Sequence, residues 1–187
     1  MEDVFKTKDY EVEQAAITEE MLGENQVFFL PYLMGERSPI NDTNARGTFV
    51  GMTMDTSRAQ LLQAVLEGVA FAIRDSIEVA RQQGITLTTS KLCGGGAKSK
   101  LWQKIMANVL NMRLELPVSE QGPGMGAAML AMVCCGAYES VKAVCEALCE
   151  TAAVVEPDAE LAFKYEERYQ KFQKIYPAMK SLFKELL

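Results

Sequence analysis

The chain has 187 residues, 49% of them hydrophobic and 24% charged, with a formal net charge of −6 and no histidine. Its size and composition suit one ordinary globular domain, or one lobe of a larger protein, with enough apolar mass for a sizeable core. The missing histidine excludes Ser-His-Asp and Cys-His nucleophilic catalysis, HExxH metalloprotease chemistry and imidazole-held metals, and an acidic chain without a Lys/Arg cluster suits neither nucleic acid nor a membrane surface.

No apolar run is long enough to span a bilayer, and residues 1–8 lack a signal-peptide layout, so a cytoplasmic protein is expected. The five cysteines, Cys93, Cys134, Cys135, Cys145 and Cys149, are odd in number and four fall in helical segments. Reduced, buried thiols are the expectation.

Residues 1–26 are polar and weakly patterned, with one short helix predicted near 12–22. Residues 27–30 form a compact apolar run and read as a strand. Residues 31–47 are dense in Gly, Pro, Asn and Asp and read as a long loop, a kind of segment that is usually functional when ordered. Within it, Glu36 and Arg37 sit between turn residues; they form a stiffening ion pair, or they touch a ligand or partner domain. Residues 48–52 are short and apolar. Ser57 then opens a long helix, with Gln60 completing a capping box. Leu61, Leu62, Val65, Leu66, Val69, Ile73, Ile77 and Ala80 recur at helical spacing, and Gly84 suits the position after the end. Gly68 and Ala72 leave room for a neighbouring element. Glu67, between Leu66 and the apolar Gly68–Val69 stretch, reads as a partly buried, hydrogen-bonded carboxylate. Asp55, Asp75 and Glu78 read as surface.

A β-prone run (Ile85, Leu87, Leu92) ends in Gly94-Gly95-Gly96-Ala97-Lys98-Ser99, and a helical pattern follows through Leu101, Trp102, Ile105, Met106, Val109 and Leu110. Glycine has no Cβ and tolerates positive φ, so a flat or anionic ligand can approach the main chain there. The first N–H groups of the next helix lack intrahelical partners. A tight βα turn that binds nothing has the same letters, so both readings stay open on the residues alone. The stretch is neither a Walker A loop nor GxGxxG, and nothing in it positions a γ-phosphate. It suits a nucleoside lying across the backbone, with Gly94, Gly95, Gly96, Ala97 and Ser99 as the binding candidates. Lys98 and Lys100 are secondary candidates for phosphate. Trp102 reads as core.

Residues 113–116 read as a second strand and 118–124 as a Gly/Pro loop. Residues 125–135 form a small-residue helix able to nestle on a sheet. A helix over 141–149 and a connector over 151–156 follow. The last segment, 157–187, is a long amphipathic helix with Pro157 in its first turn and a kink or break from Pro177 near 174–176. The order α–β–α–β–α predicts an α/β fold, helix-rich, with a small sheet of parallel strands. So few strands leave helix faces and strand edges uncovered, which predicts a lobe of a larger protein or a homodimer sharing its sheet.

Three stretches together resemble the FGGY family of carbohydrate kinases, nearest to its xylulose-phosphorylating branch. They are Phe29-Leu-Pro-Tyr-Leu-Met-Gly-Glu-Arg-Ser-Pro39; Gly47-Thr-Phe-Val-Gly51-Met with Gln60-Leu-Leu-Gln-Ala-Val-Leu-Glu67-Gly68; and Gly94-Gly-Gly-Ala-Lys-Ser99-Lys-Leu-Trp102-Gln. The resemblance covers roughly residues 27–175. It implies the C-terminal actin-like (ribonuclease-H-like) domain of a sugar kinase, truncated, with ATP and Mg²⁺ as cofactors. Gly95, Gly96, Ala97 and Ser99 would line the adenosine pocket. It further implies a missing N-terminal domain that carries the catalytic aspartate and most contacts to the pentulose. No catalytic residue and no metal ligand carries over onto this chain, which is expected to be inactive alone. The neighbouring alternatives are kinases of gluconate, ribulose, fuculose or glycerol, and a non-catalytic actin-like association module.

Overall fold

The computed structural model describes residues 10–118 and 122–186. In chain order it contains α1 (Tyr10–Ala15), a 3₁₀ turn (Glu19–Met21), β1 (Phe28–Leu30), β2 (Thr48–Val50), α2 (Arg58–Gln82) and β3 (Thr89–Lys91). A second 3₁₀ turn (Gly95–Lys98), α3 (Lys100–Leu110), β4 (Arg113–Pro117), α4 (Gly122–Cys134), α5 (Val141–Leu148), β5 (Thr151–Val155) and α6 (Ala159–Glu185) follow.

The helix-rich α/β expectation holds, but the sheet is mixed. β1 and β2 form an antiparallel pair with Phe29 opposite Phe49. β4 lies between β3, which runs parallel to it, and β5, which runs antiparallel. Only the β3–α3–β4 unit is the expected parallel crossover. Residues 151–155, expected as a connector, are β5. Their side chains are mostly exposed, so no burial period marks them; they are ordered by the ladder along the second edge of β4.

α2 is the spine. Its capping box is present: the Gln60 amide donates to Ser57 Oγ (3.2 Å) and the Ser57 amide to Gln60 Oε1 (2.8 Å). Leu62, Ala64, Ala70 and Phe71 are buried along it. Phe71 gathers the aromatic residues of α6 around it, with ring centroids 5.1 Å from Phe172, 5.9 Å from Tyr169 and 6.2 Å from Tyr165. α3 closes the core with Ile105, Met106, Val109 and Leu110. Gly68 is where α2 meets β1, and a Cβ there would lie 2.1 Å from the Phe29 carbonyl oxygen. The room foreseen at Gly68 is therefore filled by backbone.

The N-terminal stretch from residue 10 forms only short helical turns, yet it packs. Ile17, Leu22 and Asn25 are buried. Gln63 Nε2 donates to the Met21 carbonyl (2.7 Å) and Asn25 Nδ2 to the Gln60 carbonyl (2.8 Å). The part of the predicted 1–26 segment before Tyr10, and residues 119–121 of the Gly/Pro loop, lie outside the described residues.

Four further expectations are corrected. α6 begins after Pro157, not with it: Asp158 Oδ1 accepts from the Leu161 amide (2.9 Å) as the N-cap. α6 also runs unbroken through Pro177, because burial of Phe172 on one side and Phe183 on the other outweighs one missing helical hydrogen bond. α4 does not nestle on the sheet. It leans on α5, buries only Met129, and leaves open space at Gly122 and Gly126. The thiols are not buried either: Cys93, Cys134 and Cys135 are exposed, and Cys145 and Cys149 are half-buried, all five free.

The Gly68–Phe29 contact predicts a large cost for one methyl group. Gly68→Ala forces α2 and β1 apart and destabilises the fold by about 1–3 kcal/mol, the range for overpacking. Gly126→Ala, in open space within α4, is neutral or stabilising. Chemical denaturation of the two variants compares them; equal midpoints would contradict the packing described.

Candidate functional site

The strand β3 stops at Lys91, the Leu92 amide still donates to the Glu115 carbonyl (2.9 Å), and the chain then turns outward through the three glycines. Gly94 takes φ 90°, a conformation that favours glycine. Gly95–Lys98 form the 3₁₀ turn, closed by Ala97 N–H to Gly94 O (3.0 Å) and Ser99 N–H to Gly96 O (3.1 Å).

The five candidates do different things. A Cβ at Gly94 or Gly95 would meet no atom within 4 Å, so this side of the turn is open. A Cβ at Gly96 would lie 3.2 Å from the Trp102 ring, which makes Gly96 a packing glycine. Ala97 is half-buried and its carbonyl accepts from Gln103 Nε2 (2.6 Å). Ser99 caps α3: its Oγ accepts from the Trp102 amide (3.1 Å) and donates to Gln14 Oε1. Trp102 is half-buried against the main core, as expected.

Beside the open glycines lies a cavity of about 1050 Å³. Gly95, Gly96, Ser99 and Lys100 form one wall, and Tyr10, Glu11 and Gln14 of α1 form the other. The structure thus brings Gly95, Gly96, Ser99, Lys98 and Lys100 to one site, while Gly94 and Ala97 belong to the turn but do not line the cavity. It adds a second wall that no motif in the sequence marks. α1 carries no motif; its position follows from the Gln14–Ser99 hydrogen bond and the packing of residues 17–25 behind it.

Behind α1, Gln63 links the Met21 carbonyl to a buried polar cluster centred on Glu67, which is 1% exposed. Arg168 Nη2 donates to Glu67 Oε2 (2.7 Å) and to the Val27 carbonyl (3.2 Å). Tyr165 OH (3.1 Å) and Gln63 Nε2 (2.7 Å) donate to Glu67 Oε1. Burial pushes the Glu67 carboxyl up, against the pull of Arg168, Gln63 and Tyr165. The expected hydrogen-bonded carboxylate at Glu67 is present and deeper than expected.

The 31–47 loop does not reach the cavity, and its charged pair is not an ion pair. Glu36 Oε1 accepts from the backbone amides of Arg37 (2.8 Å) and Ser38 (3.3 Å), because neighbouring residues in a tight turn present amides to the carboxylate sooner than a guanidinium. The loop is pinned to α6 by Tyr176 OH, which donates to Asp42 Oδ2 (2.7 Å). Asp75 and Glu78 are not free surface carboxylates either. Asp75 is half-buried and accepts from Tyr169 OH (2.5 Å), and Glu78 bridges Arg74 (3.2 Å) and Arg81 (2.7 Å). Among the described residues, no group of three or more Cys, Asp and Glu side chains is placed to hold a metal ion. No described helix is long and apolar enough to cross a membrane.

The family model for the C-terminal domain of the FGGY carbohydrate kinases matches residues 3–135. The xylulose kinase of Staphylococcus epidermidis is 33% identical over 183 residues, 98% of this chain and 37% of that protein. The crystal structure of a "xyloylose kinase" from Brucella ovis superposes with a TM-score of 0.86 at 35% identity, covering 97% of this chain and 37% of that one. The gluconate kinase of Lactobacillus acidophilus superposes with a TM-score of 0.85 at 25% identity, covering 96% of this chain and 36% of that one. The chain belongs to the FGGY family of carbohydrate kinases and corresponds to its C-terminal domain. It spans a little over a third of the length of these relatives.

The Asp42–Tyr176 bond has a pH signature. Burial and the hydrogen bond to Asp42 push the Tyr176 phenol from 10.0 up to about 12. A raised folded pKa contributes stability that is complete below pH 10 and lost as pH climbs towards 12. Tyr32, Tyr165 and Tyr169 are raised as well, so the comparison with Tyr176→Phe isolates this bond. Stability measured from pH 8 to 12 falls less steeply in the variant; superimposable curves above pH 10 would disprove the pinning.

Proposed function

We propose that this chain is the nucleotide-binding half of a kinase that transfers the ATP γ-phosphate to D-xylulose, giving D-xylulose 5-phosphate and ADP. The observation that carries the reading is the open glycine turn facing a roomy cavity: at Gly94 and Gly95 nothing approaches within 4 Å of a would-be Cβ. An adenosine can lie directly on that backbone. Gly95 and Gly96 supply the flat surface, Gly94 and Ala97 shape the turn without lining the cavity, Ser99 fixes the start of α3, and Tyr10 and Gln14 face it across the cavity. MgATP supplies the transferable phosphoryl group and the metal's charge neutralisation.

The chain's own residues bind and orient; they do not perform the transfer. Glu11 is the only carboxylate lining the cavity among the described residues. A base aligned with the sugar hydroxyl has to come from the remaining two-thirds of the protein, which also supplies the sugar contacts. These 187 residues alone therefore bind nucleotide without turnover. A cytoplasmic location suits an ATP-dependent enzyme with five free thiols. The exposed outer edge of β3 is where the sheet continues, into the rest of the protein or into a second copy.

Xylulose is favoured as acceptor by the xylulose kinases at 33% and 35% identity; the gluconate kinase superposition supports gluconate as the alternative. Nucleotide binding separates both from a non-catalytic association module. ADP raises the melting temperature of the chain saturably, by mass action. Gly95→Val fills the open approach, abolishes that rise and leaves the ligand-free melting temperature within a degree or two. An ADP-independent melting temperature in the parent chain would overturn the reading. The full-length enzyme, assayed against xylulose, gluconate, ribulose, fuculose and glycerol, decides the acceptor.

A further inference from the structure

A second cavity, of about 210 Å³, opens between α4, the end of α5 and the residues that follow β3, and it shares no lining residue with the nucleotide cavity. Sulfur sets its character. Met125 and Met129 of α4 line it, as do Cys93, just past β3, and Cys149, the residue after α5. Lys91 and Glu150 are its only charged lining residues among those described.

Two helices each deliver a pair of sulfurs at i,i+4, the spacing that puts side chains on one face. On α4 the pair is Met125 and Met129, and Met129, 5% exposed, is the one buried residue of that helix. On α5 it is Cys145 and Cys149. The Cys149 amide donates to the Cys145 carbonyl (2.9 Å), and the two thiols are close enough to hydrogen-bond. Both cysteines are free and half-buried, so solvent reaches them. Beside Gly122 and Gly126 the α4 wall is open, since a Cβ at either would meet no atom within 4 Å. Packing does not account for this set, because Cys93 is exposed and Met125, Cys145 and Cys149 are only half-buried.

Thiolates and thioethers are soft, polarizable donors, and together they select copper(I). Harder cations are poorly served. Magnesium and calcium take about six oxygen ligands or more, and Glu150 is the only carboxylate lining the cavity among the described residues. A structural zinc site takes four thiolate or imidazole ligands. The chain has no histidine, and no three Cys, Asp or Glu side chains converge among the described residues. A soft cation satisfied by two thiolates and thioethers fits the donor set.

We propose that Cys145 and Cys149 bind copper(I) as a pair of thiolates at the edge of this cavity, with the sulfurs of Met125, Met129 and Cys93 lining the space around the ion. Two Cu–S bonds replace two S–H bonds, two protons leave to solvent, and the copper stays monovalent. The bis-thiolate then carries one net negative charge. Lys91, whose ammonium donates to the Cys149 carbonyl (3.5 Å), places the opposite charge beside it. The site is separate from the glycine-turn cavity and independent of the nucleotide reading.

The test is an anaerobic titration of the reduced 187-residue chain with copper(I) held by bicinchoninate, whose coloured complex bleaches as the protein takes the metal. The chain withdraws a single tightly held equivalent, and equimolar zinc does not displace it. Cys134→Ser combined with Cys135→Ser removes the other pair of neighbouring thiols and leaves that equivalent in place. Cys149→Ser weakens it by about tenfold or more. Methyl NMR of labelled methionines with silver(I), a redox-inert cation of the same charge and softness, locates the ion without relying on a variant's fold. Met125 and Met129 shift, while the exposed Met34 and Met54 do not. Unchanged affinity in Cys149→Ser, loss of the equivalent with Cys134 and Cys135, displacement by zinc, or silver shifts at Met34 and Met54 with Met125 and Met129 still would each overturn the proposal. If Cys149→Ser fails to fold, silver shifts at Met125 and Met129 alone still support it.

Discussion

The ion pair between Glu67 and Arg168 is the constraint on which the rest of the molecule hangs. It joins the middle of α2 to the middle of α6 in a place where neither charge sees water. Such a pair carries a desolvation cost that is offset only when geometry and surrounding hydrogen bonds are good. Here Tyr165 and Gln63 complete the shell of Glu67, and the Val27 carbonyl takes a further donor of Arg168. Arg168 also lies 4.5 Å over the Phe28 ring, so β1 is held in the same cluster. From there position is handed outward. Gln63 fixes the Met21 carbonyl, residues 17–25 pack behind it, and α1 arrives where Gln14 meets Ser99 at the glycine turn. The two walls of the cavity meet directly at the Gln14–Ser99 hydrogen bond.

This arrangement explains what the domain does and does not contain. The fold presents a bare stretch of backbone, Gly94–Gly95, at the end of a strand, and Gly95 lines a large cavity. Side chains around that stretch are tied into structure: Ser99 to α3 and α1, Gln103 to the Ala97 carbonyl. On the proposed reading, such a surface positions a ligand by shape and main-chain contact and leaves the chemistry to groups brought from elsewhere. That division suits phosphoryl transfer, where catalysis is mostly positioning and charge neutralisation. It also agrees with a chain that spans little more than a third of the kinases it resembles.

Much of this was legible in the residues because local rules and the tertiary structure agree. The Ser57–Gln60 box, the apolar stripe of α2, the close approach at Gly68 and the strand-to-helix turn at the glycines each have one cheap local solution, and the fold uses it. The failures have a common cause: partners supplied from distant parts of the chain. β5 has no burial period because the backbone ladder with β4 orders it. Pro177 does not break α6 because Phe172 and Phe183 are both buried in the core. Asp75 looks like a surface acid until Tyr169, nearly a hundred residues on, folds over it. The cavity's second wall, Tyr10–Ala15, has no pattern of its own and is placed by contacts made elsewhere.

The claim that matters most is that adenosine lies between the glycine turn and α1. Backbone amide NMR of the isotope-labelled chain titrated with ADP tests it directly. The account predicts the largest shift changes at Gly94–Ser99 together with Tyr10–Ala15, saturating in parallel, with Asp75 and its neighbours unmoved. Saturable changes confined to another face, with the glycine amides still, would contradict it.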